Sequence, residues 1–283
     1  ASNNPSVTAN STFTTDDTLP PSFTFAPTDA SINFSAVGNI IITFNEAKNI
    51  LKCLQAASSV ADEIIVYDSF STDNTCEIAA QHGAKVIHGA WQGYAKSKNV
   101  ANEKASYDWI LSLDADEVLS PALQNAVLQL KIEGLKTASF KRLTNYCGKW
   151  IKHAGWYPDI KLRLFNRKQM QWQGLIHEEL KAIGQYQIKP ILLNGDCLHY
   201  SYNSIQSHYQ QTNKFSTLSA QSLYEKGVKT SFMKMYFAPI FKFIQMYFFK
   251  LGILDGYYGF VVCKISAQAT YQKYAKLKAL NAQ

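Results

Sequence analysis

Four apolar runs, separated by helical stretches and polar turns, leave this chain little choice of architecture. The first, Asn39-Ile40-Ile41-Ile42-Thr43-Phe44, is continuous and rich in β-branched residues, as a parallel strand buried on both faces requires. Beyond Asn45-Glu46, Ile50, Leu51, Leu54 and Ala57 recur at three- and four-residue spacing, which predicts a helix. Residues 63–67 read as a second strand, 75–82 as a helix stopped by Gly83, and 84–87 as a third strand. A helix over 94–105 and a fourth strand over 109–113 follow. Strands alternating with helices across short links predict a doubly wound α/β domain with a mostly parallel central sheet.

Ligands of such sheets sit at the carboxyl ends of the strands. Asn45, Asp68, Asp73, Asp114 and Asp116 all fall at those ends. In Asp114-Ala115-Asp116 an extended chain would send both carboxylates to one face, where they repel unless a cation or hydroxyl donors stand between them. Oxygen ligands of this kind suit Mg²⁺ or Mn²⁺ carrying a diphosphate, and a solvated turn is the plainer alternative. Thr72 or Asp73 can cap the next helix, which gives Asp73 two readings, cap or metal-side contact. There is no G-x-G-x-x-G and no G-x-x-x-x-G-K-S/T, so dinucleotide and P-loop chemistry are disfavoured.

After Pro121 a helix is expected to about residue 134, then a strand over 137–145. Residues 146–172 mix aromatic and basic side chains. Trp156, Tyr157 and Trp172 can stack on sugar faces or pack a core. Arg163 and Arg167 can hold a phosphate or sit in solvent. Five scattered cysteines without metal-ligand spacing fit free thiols in a reducing cytoplasm. Residues 1–37, rich in Ser, Thr, Asn and Pro, read as a disordered tail with no signal-peptide pattern.

The 28 Lys+Arg and 21 Asp+Glu divide unevenly. From Lys214 onward there are ten lysines against Glu225 and Asp255, which points to an anionic partner. Within residues 232–249, Lys234, Lys242 and Gln245 collect with Lys250 on under half of a helical wheel. Met233, Tyr236, Phe237, Ile240, Phe241, Ile244, Tyr247 and Phe248 take the rest. That is the pattern of an interfacial helix, or of one packed on a core, and too charged for a spanning one.

Several segments together resemble family 2 glycosyltransferases of the GT-A fold. They are Ile42-Thr43-Phe44-Asn45-Glu46, residues 68–75, Lys98-Asn99-Val100-Ala101 and Leu113-Asp114-Ala115-Asp116-Glu117. Gly155-Trp156-Tyr157-Pro158-Asp159, Arg163-Leu164-Phe165, Trp172-Gln173-Gly174, His177-Glu178 and Leu254-Asp255-Gly256 resemble, more narrowly, the bacterial lipopolysaccharide core β-1,4-glucosyltransferase group. The resemblance implies an inverting transfer, with Mg²⁺ or Mn²⁺, from a UDP-sugar (glucose) to a lipid-linked core oligosaccharide (heptose). Thr43, Asn45, Glu46 and Asp73 would line the nucleotide-sugar site. Asp68 would accept from the uracil imide, as against a turn role, and Lys98 would touch uracil or phosphate. Asp114 would face the ribose and Asp116 the metal. Glu178 would be the base, with adjacent Glu179 as its rival. Trp156, Tyr157, Arg163 and His177 would serve the acceptor, His177 by orienting the base or as a structurally bonded histidine. The layout expected is a GT-A domain over 38–205 and a helical, basic and aromatic membrane-surface segment over 206–283. Such an enzyme would attach peripherally to the inner leaflet of the bacterial inner membrane.

Other readings remain. A family 2 transferase could instead use polyprenyl phosphate, a capsule or a glycoprotein glycan. A nucleotidyltransferase would need a Gly-rich loop after the first strand, which is missing. A non-catalytic membrane-surface protein would be expected to have lost a carboxylate. No nucleic-acid-binding module is visible.

Overall fold

A computed structural model describes residues 35–174 and 178–282. The first half follows the predicted alternation: β1 (Val37–Thr43), α1 (Ile50–Ser58), β2 (Glu63–Asp68), α2 (Thr75–Gln81), β3 (Lys85–His88), α3 (Tyr94–Glu103) and β4 (Trp109–Asp114). β1 starts at Val37, one residue inside the expected tail, because its amide donates to Asp62 Oδ2 (2.7 Å) and its side chain is buried. Of the expected disordered tail, residues 1–34 lie outside the described residues.

The second half supplies β5 (Glu117–Leu119), α4 (Pro121–Glu133), β6 (Ala138–Tyr146), β7 (Lys149–Ile151), β8 (Asp159–Asn166), β9 (Met170–Gln173), β10 (Glu179–Ala182) and β11 (Ile191–Tyr202). Among the described residues, one sheet runs β3-β2-β1-β4-β8-β6-β11-β5, with β7 on β6. β3, β2, β1 and β4 are parallel, while β8 enters antiparallel to both β4 and β6. Strand order reverses between β1 and β4, so the ligand crevice of such a sheet opens at Thr43 and Asp114. The mostly parallel sheet flanked by helices is the fold expected from sequence.

Two cores hold the sheet. On one face Ile41, Leu111 and Leu113 pack with Leu54, Leu123 and Val127 of α1 and α4. On the other, Ile40 and Ile110 pack with Ala95 and Ala101 of α3, and with Met170 and Trp172 of a hairpin formed by β9 and β10. Each fully buried aliphatic side chain contributes roughly 1.5–3 kcal/mol. The start of α4 is fixed locally. Ser120 Oγ accepts from the Leu123 amide (3.3 Å), and Pro121 occupies the first turn, where no amide is missed.

The C-terminal helices are α5 (Ile205–Glu225), α6 (Phe232–Ile244) and α7 (Gly256–Asn281). They share a third core with the sheet, in which Tyr146 and Ile151 pack with Met246, Val262 and Ile265. The single helical wheel drawn to residue 250 does not hold. α6 passes into a π-helical turn over Gln245–Phe249, which changes the angular phase, so Met246 is buried and Tyr247 packs on Phe243 and Phe260.

Candidate active site

The loops after β1 and β2 are stitched together by the residues the sequence singled out. Asn45, at φ 56°, accepts from the Thr72 amide on Oδ1 (2.8 Å) and donates its own amide to Ser71 Oγ (2.8 Å). The Glu46 amide donates to Thr75 Oγ1 (2.8 Å) and the Ala47 amide to Asp73 Oδ2 (3.1 Å). Asp73 Oδ1 accepts from the Thr75 amide (3.1 Å) and hydroxyl, and these bonds hold its carboxyl below the usual range. Asp73 thus ties the loop after β1 to Thr75, the first residue of α2, from the position before the N-cap Asn74.

Asp68 is buried, with its oxygens taken by the Ser71 amide (2.9 Å), the Ser71 hydroxyl and His88 Nδ1 (3.3 Å). Burial pushes its carboxyl up, but the Ser71 bonds outweigh this and hold it below the ordinary range. These contacts give Asp68 a turn role, and its two oxygens, with about four lone-pair sites between them, keep acceptor capacity for a further donor such as the expected uracil imide. Its register partner Thr43 lies beside it, and the buried Thr43 Oγ1 has no hydrogen-bond partner among the described residues. Phe70, at φ 62°, stands exposed and stacked over His88 at 6.1 Å. Asp68, Cys76 and His88 also bring O, S and N donors within 4.8 Å of one another, a conceivable cation set. Burial and the neighbouring Asp68 push the Cys76 thiol up to about 11, so it acts as a hydrogen-bond donor to Asp68.

At the next strand end the two aspartates part company. Asp114 closes β4, whereas Asp116 lies in the turn before β5, so strict strand alternation does not relate them. Asp114 is held by Lys98 Nζ (3.0 Å to Oδ1) and Arg163 (3.0 Å to Oδ2). Burial pushes its carboxyl up, yet Lys98 and then Arg163 outweigh burial and hold it well below the usual range. Glu117, wholly buried, accepts from the Asp114 amide (3.1 Å), from Arg163 and from Arg142 (3.4 Å). Arg163 is thus a buried counter-ion, neither the acceptor contact nor the solvated charge expected. Arg167 pairs with Asp108 (3.5 Å) at the opposite end of β4.

Lys98 is wholly buried and joins Asp114 to Glu178, whose Oε1 lies 3.3 Å from Nζ. Trp172 lies beneath the ammonium, 4.6 Å from Nζ to the ring centroid, and is buried, so it packs a core and does not stack on sugar. Asn99 pins the same hairpin: its Nδ2 donates to the Trp172 carbonyl and its Oδ1 accepts from the Trp172 amide, both at 2.9 Å. The pair Lys98-Asn99 therefore fixes the carboxylates and the hairpin that presents Glu178. Glu179 begins β10 and is exposed. His177 lies outside the described residues.

Asp116 meets a partner that no sequence spacing announced. β11 pairs His199 with Glu117 of β5 on one side and with Thr144 of β6 on the other. His199 Nε2 comes within 3.2 Å of Asp116 Oδ2. Neither side chain is fully covered, at 14% and 22% exposed. Glu46 stands close by. Burial raises its carboxyl, the Asn49 hydrogen bond opposes this, and the charges of Asp116 and Asp73 add to it. Tyr94 borders the same carboxylates: burial, then the charges of Asp114, Glu178 and Asp116, push its phenol up.

His199 also lines an open cleft of about 310 Å³ with Arg142, Thr144, Trp156, Asp159 and Tyr202. Trp156 lines this cleft and also packs edge-on to Tyr146 and His208. Tyr157 does not line it, and its hydroxyl donates to Asp196 Oδ1 (2.9 Å). Burial pushes the Asp159 carboxyl up, but Arg142 and Lys161 outweigh it and hold it below the usual range.

The Glycosyl transferase family 2 model matches residues 39–180. An uncharacterized glycosyltransferase of Rickettsia typhi is 32% identical over 260 residues, 87% of each chain. The lipopolysaccharide core biosynthesis glycosyltransferase LpsC of Rhizobium meliloti is 28% identical over 263 residues, 84% of this chain and 93% of that one. Glucosyl-3-phosphoglycerate synthase of Mycobacterium tuberculosis, solved with Mn²⁺, UDP and glucosyl-3-phosphoglycerate, aligns at 21% identity. It covers 39% of this chain and 44% of that one at a TM-score of 0.34, too low for anything about this chain to be read from it. With strand-end carboxylates around one crevice and relatives matched along most of its length, the chain belongs to glycosyltransferase family 2.

Proposed function

We propose that this chain transfers a hexose, glucose, from a UDP-sugar to a heptose of a lipid-linked lipopolysaccharide core, inverting the anomeric centre. The observation that carries the reading is the Asp116–His199 pair, set between the switch-point crevice and an open cleft. The relative named for lipopolysaccharide core biosynthesis supports the acceptor class. That acceptor would put the enzyme at the inner leaflet of the bacterial inner membrane.

The residues fit a divalent cation. Two ligands in neighbouring positions of an octahedron with bonds of about 2.1 Å stand about 3 Å apart, close to the 3.2 Å between Asp116 Oδ2 and His199 Nε2. A mixed carboxylate–imidazole set suits Mn²⁺ better than Mg²⁺. Such an ion, held by Asp116 and His199, would neutralise the charge gathering on the departing diphosphate. Thr43 Oγ1, with no partner among the described residues, and the Phe70 ring would receive the uracil. Asp114, fixed by Lys98 and Arg163, would accept from the ribose.

In the transfer, the acceptor oxygen bonds to the anomeric carbon as the bond from that carbon to the UDP oxygen breaks. Glu178 takes the hydroxyl proton. Glu178 is favoured over Glu179 because Lys98 ties it to the Asp114 side of the crevice. Asp159, held by Arg142 and Lys161 on the lining of the cleft, suits a hydrogen bond to a sugar hydroxyl.

The test is a UDP-release screen with UDP-glucose, UDP-galactose and UDP-N-acetylglucosamine, with and without Mn²⁺ and a truncated lipid A–core acceptor. Acceptor-dependent UDP release from UDP-glucose is expected. Release unchanged by the acceptor, or confined to another sugar, contradicts the acceptor or the donor half respectively.

A further inference from the structure

Among the described residues, more than half of the large apolar side chains that stay exposed fall between Phe232 and Phe260. Met233, Phe237 and Phe241 follow one another at four-residue spacing along α6, the last two 62% and 64% exposed. Phe249 (76%), Leu254 (63%) and Tyr257 (67%) continue the surface around the turn into α7. The opposite side of α6 and its π-helical extension is already in use, with Met235 and Met246 buried and Phe243 against Phe260. A run of exposed aromatics this long is unusual for a surface facing only water.

The charge around it has one sign. Lys234, Lys250, Lys264 and Lys278 are exposed, whereas Asp255, one of the two acids after Lys214, is buried against His153. Lysines edging an apolar face complement an anionic lipid surface. No single helix among the described residues is long and apolar enough to cross a membrane, and the chain bends by 73° between Phe232–Phe249 and Gly252–Asn281.

The same turn is strapped to the cleft. Asp255 accepts from the His153 amide (2.8 Å) and the Lys152 amide (3.3 Å), and lies 2.9 Å from His153 Nδ1. The Ala154 amide donates to the Lys250 carbonyl (2.8 Å). The Lys250 side chain covers Gly155 so closely that a Cβ there would meet Lys250 Cδ at 2.6 Å. Trp156 and Pro158, in the segment so held, line the cleft beside His199.

We propose that the apolar face of α6 and the turn after it seat in the interface of an anionic bilayer, and that Asp255 thereby holds the cleft at the lipid surface. The docking half stands on the surface alone, and the presentation half rests on the proposed acceptor reading. Asp255 is a positioning residue.

The test floats the full chain with phosphatidylethanolamine/phosphatidylglycerol vesicles and with phosphatidylcholine vesicles, in the absence of donor and acceptor. Salt-sensitive flotation with the anionic vesicles is expected. The double variant Phe249→Ser, Leu254→Ser should bind them about a hundredfold more weakly, at about tenfold per apolar side chain, and bind UDP as wild type does. Asp255→Asn and His153→Gln should float and bind UDP normally. They should lose transfer to acceptor in a bilayer while keeping transfer to a water-soluble acceptor fragment. Absence of flotation, a double variant that floats like wild type, or a dimer that dissolves in the double variant while neither form floats overturns the docking half. Equal loss on both acceptors overturns the presentation half. Normal flotation without UDP binding would leave docking intact and remove the transferase reading alone.

Discussion

Replacing Lys98 by methionine removes the buried positive charge that stands between Asp114 and Glu178 while nearly keeping the side chain's length. Its ammonium lies 3.0 Å from Asp114 and 3.3 Å from Glu178, and the side chain is 1% exposed. At an effective dielectric constant of about 20, each contact is worth roughly 5 kcal/mol of gross attraction. The cost of burying the lysine offsets much of that. Stripping one member from a buried pair typically destabilises by roughly 3–5 kcal/mol. Arg163 continues to hold Asp114 and Glu178 keeps some solvent, so the low end, about 3 kcal/mol, is expected here. That is a large share of the roughly 5–15 kcal/mol that keeps a domain folded. Urea unfolding followed by tryptophan fluorescence gives the stability, and calorimetry gives UDP affinity, which should fall as Asp114 loses its anchor. Acid unfolding adds a signed check. Lys98 and Arg163 hold the Asp114 carboxyl below its unfolded value of about 3.9, so the stabilisation is present above that pH and is lost as pH falls below it. Without Lys98 the carboxyl rises and acid unfolding should begin at higher pH. A Lys98→Met protein within 1 kcal/mol of wild type, with unchanged UDP affinity and acid midpoint, would refute the network.

Glu178→Gln should lower turnover roughly 10²–10⁴-fold in the UDP-release assay with little change in UDP affinity; near-normal turnover would remove Glu178 as base. Burial pushes the His208 imidazole down to about 4. Its neutral form is therefore favoured in the fold, and stability should fall by about 1.4 kcal/mol per unit as pH drops from about 6.5 towards 4. His208→Gln should flatten that slope, and equal slopes in the two proteins would contradict the assignment. A Cβ on Gly259 would meet the Gly252 carbonyl at 2.0 Å, so Gly259→Ala should cost roughly 1–3 kcal/mol in thermal unfolding. An unchanged melting temperature would refute so close an approach.

The parallel half of the fold is legible because its central strands β1 and β4 are largely apolar runs buried on both faces, as at Ile40, Ile41, Ile110 and Leu111. Residues 146–202 are not legible in that way. β8 enters antiparallel, β9 and β10 are four-residue strands with alternate residues buried at most, and no run announces them. The carboxylates at the strand ends could be located from the sequence, whereas their partners could not. Glu117 has no role expected from its motif, although a carboxylate directly before Val118 and Leu119 is a signal that it goes inside. Arg163 looked like surface charge because the acids that bury it lie nearly fifty residues away in sequence. His199 meets Asp116 only through β5–β11 pairing across more than eighty residues, a contact no local periodicity encodes. Asp68 and Asp73 illustrate the converse. Their side chains were legible as important, yet most of their bonding goes to loop closure, a use that Ser71 and Thr75 at turn spacing had signalled.

The central claim is that Asp116 and His199 form one cation site on which the diphosphate is held. Calorimetric titration of UDP, with and without Mn²⁺, into wild type, Asp116→Ala and His199→Ala measures it directly. Wild type should bind UDP more tightly with Mn²⁺, and both variants should lose that increment while keeping the metal-free affinity. Retention of the full Mn²⁺ increment in either variant would contradict the shared site.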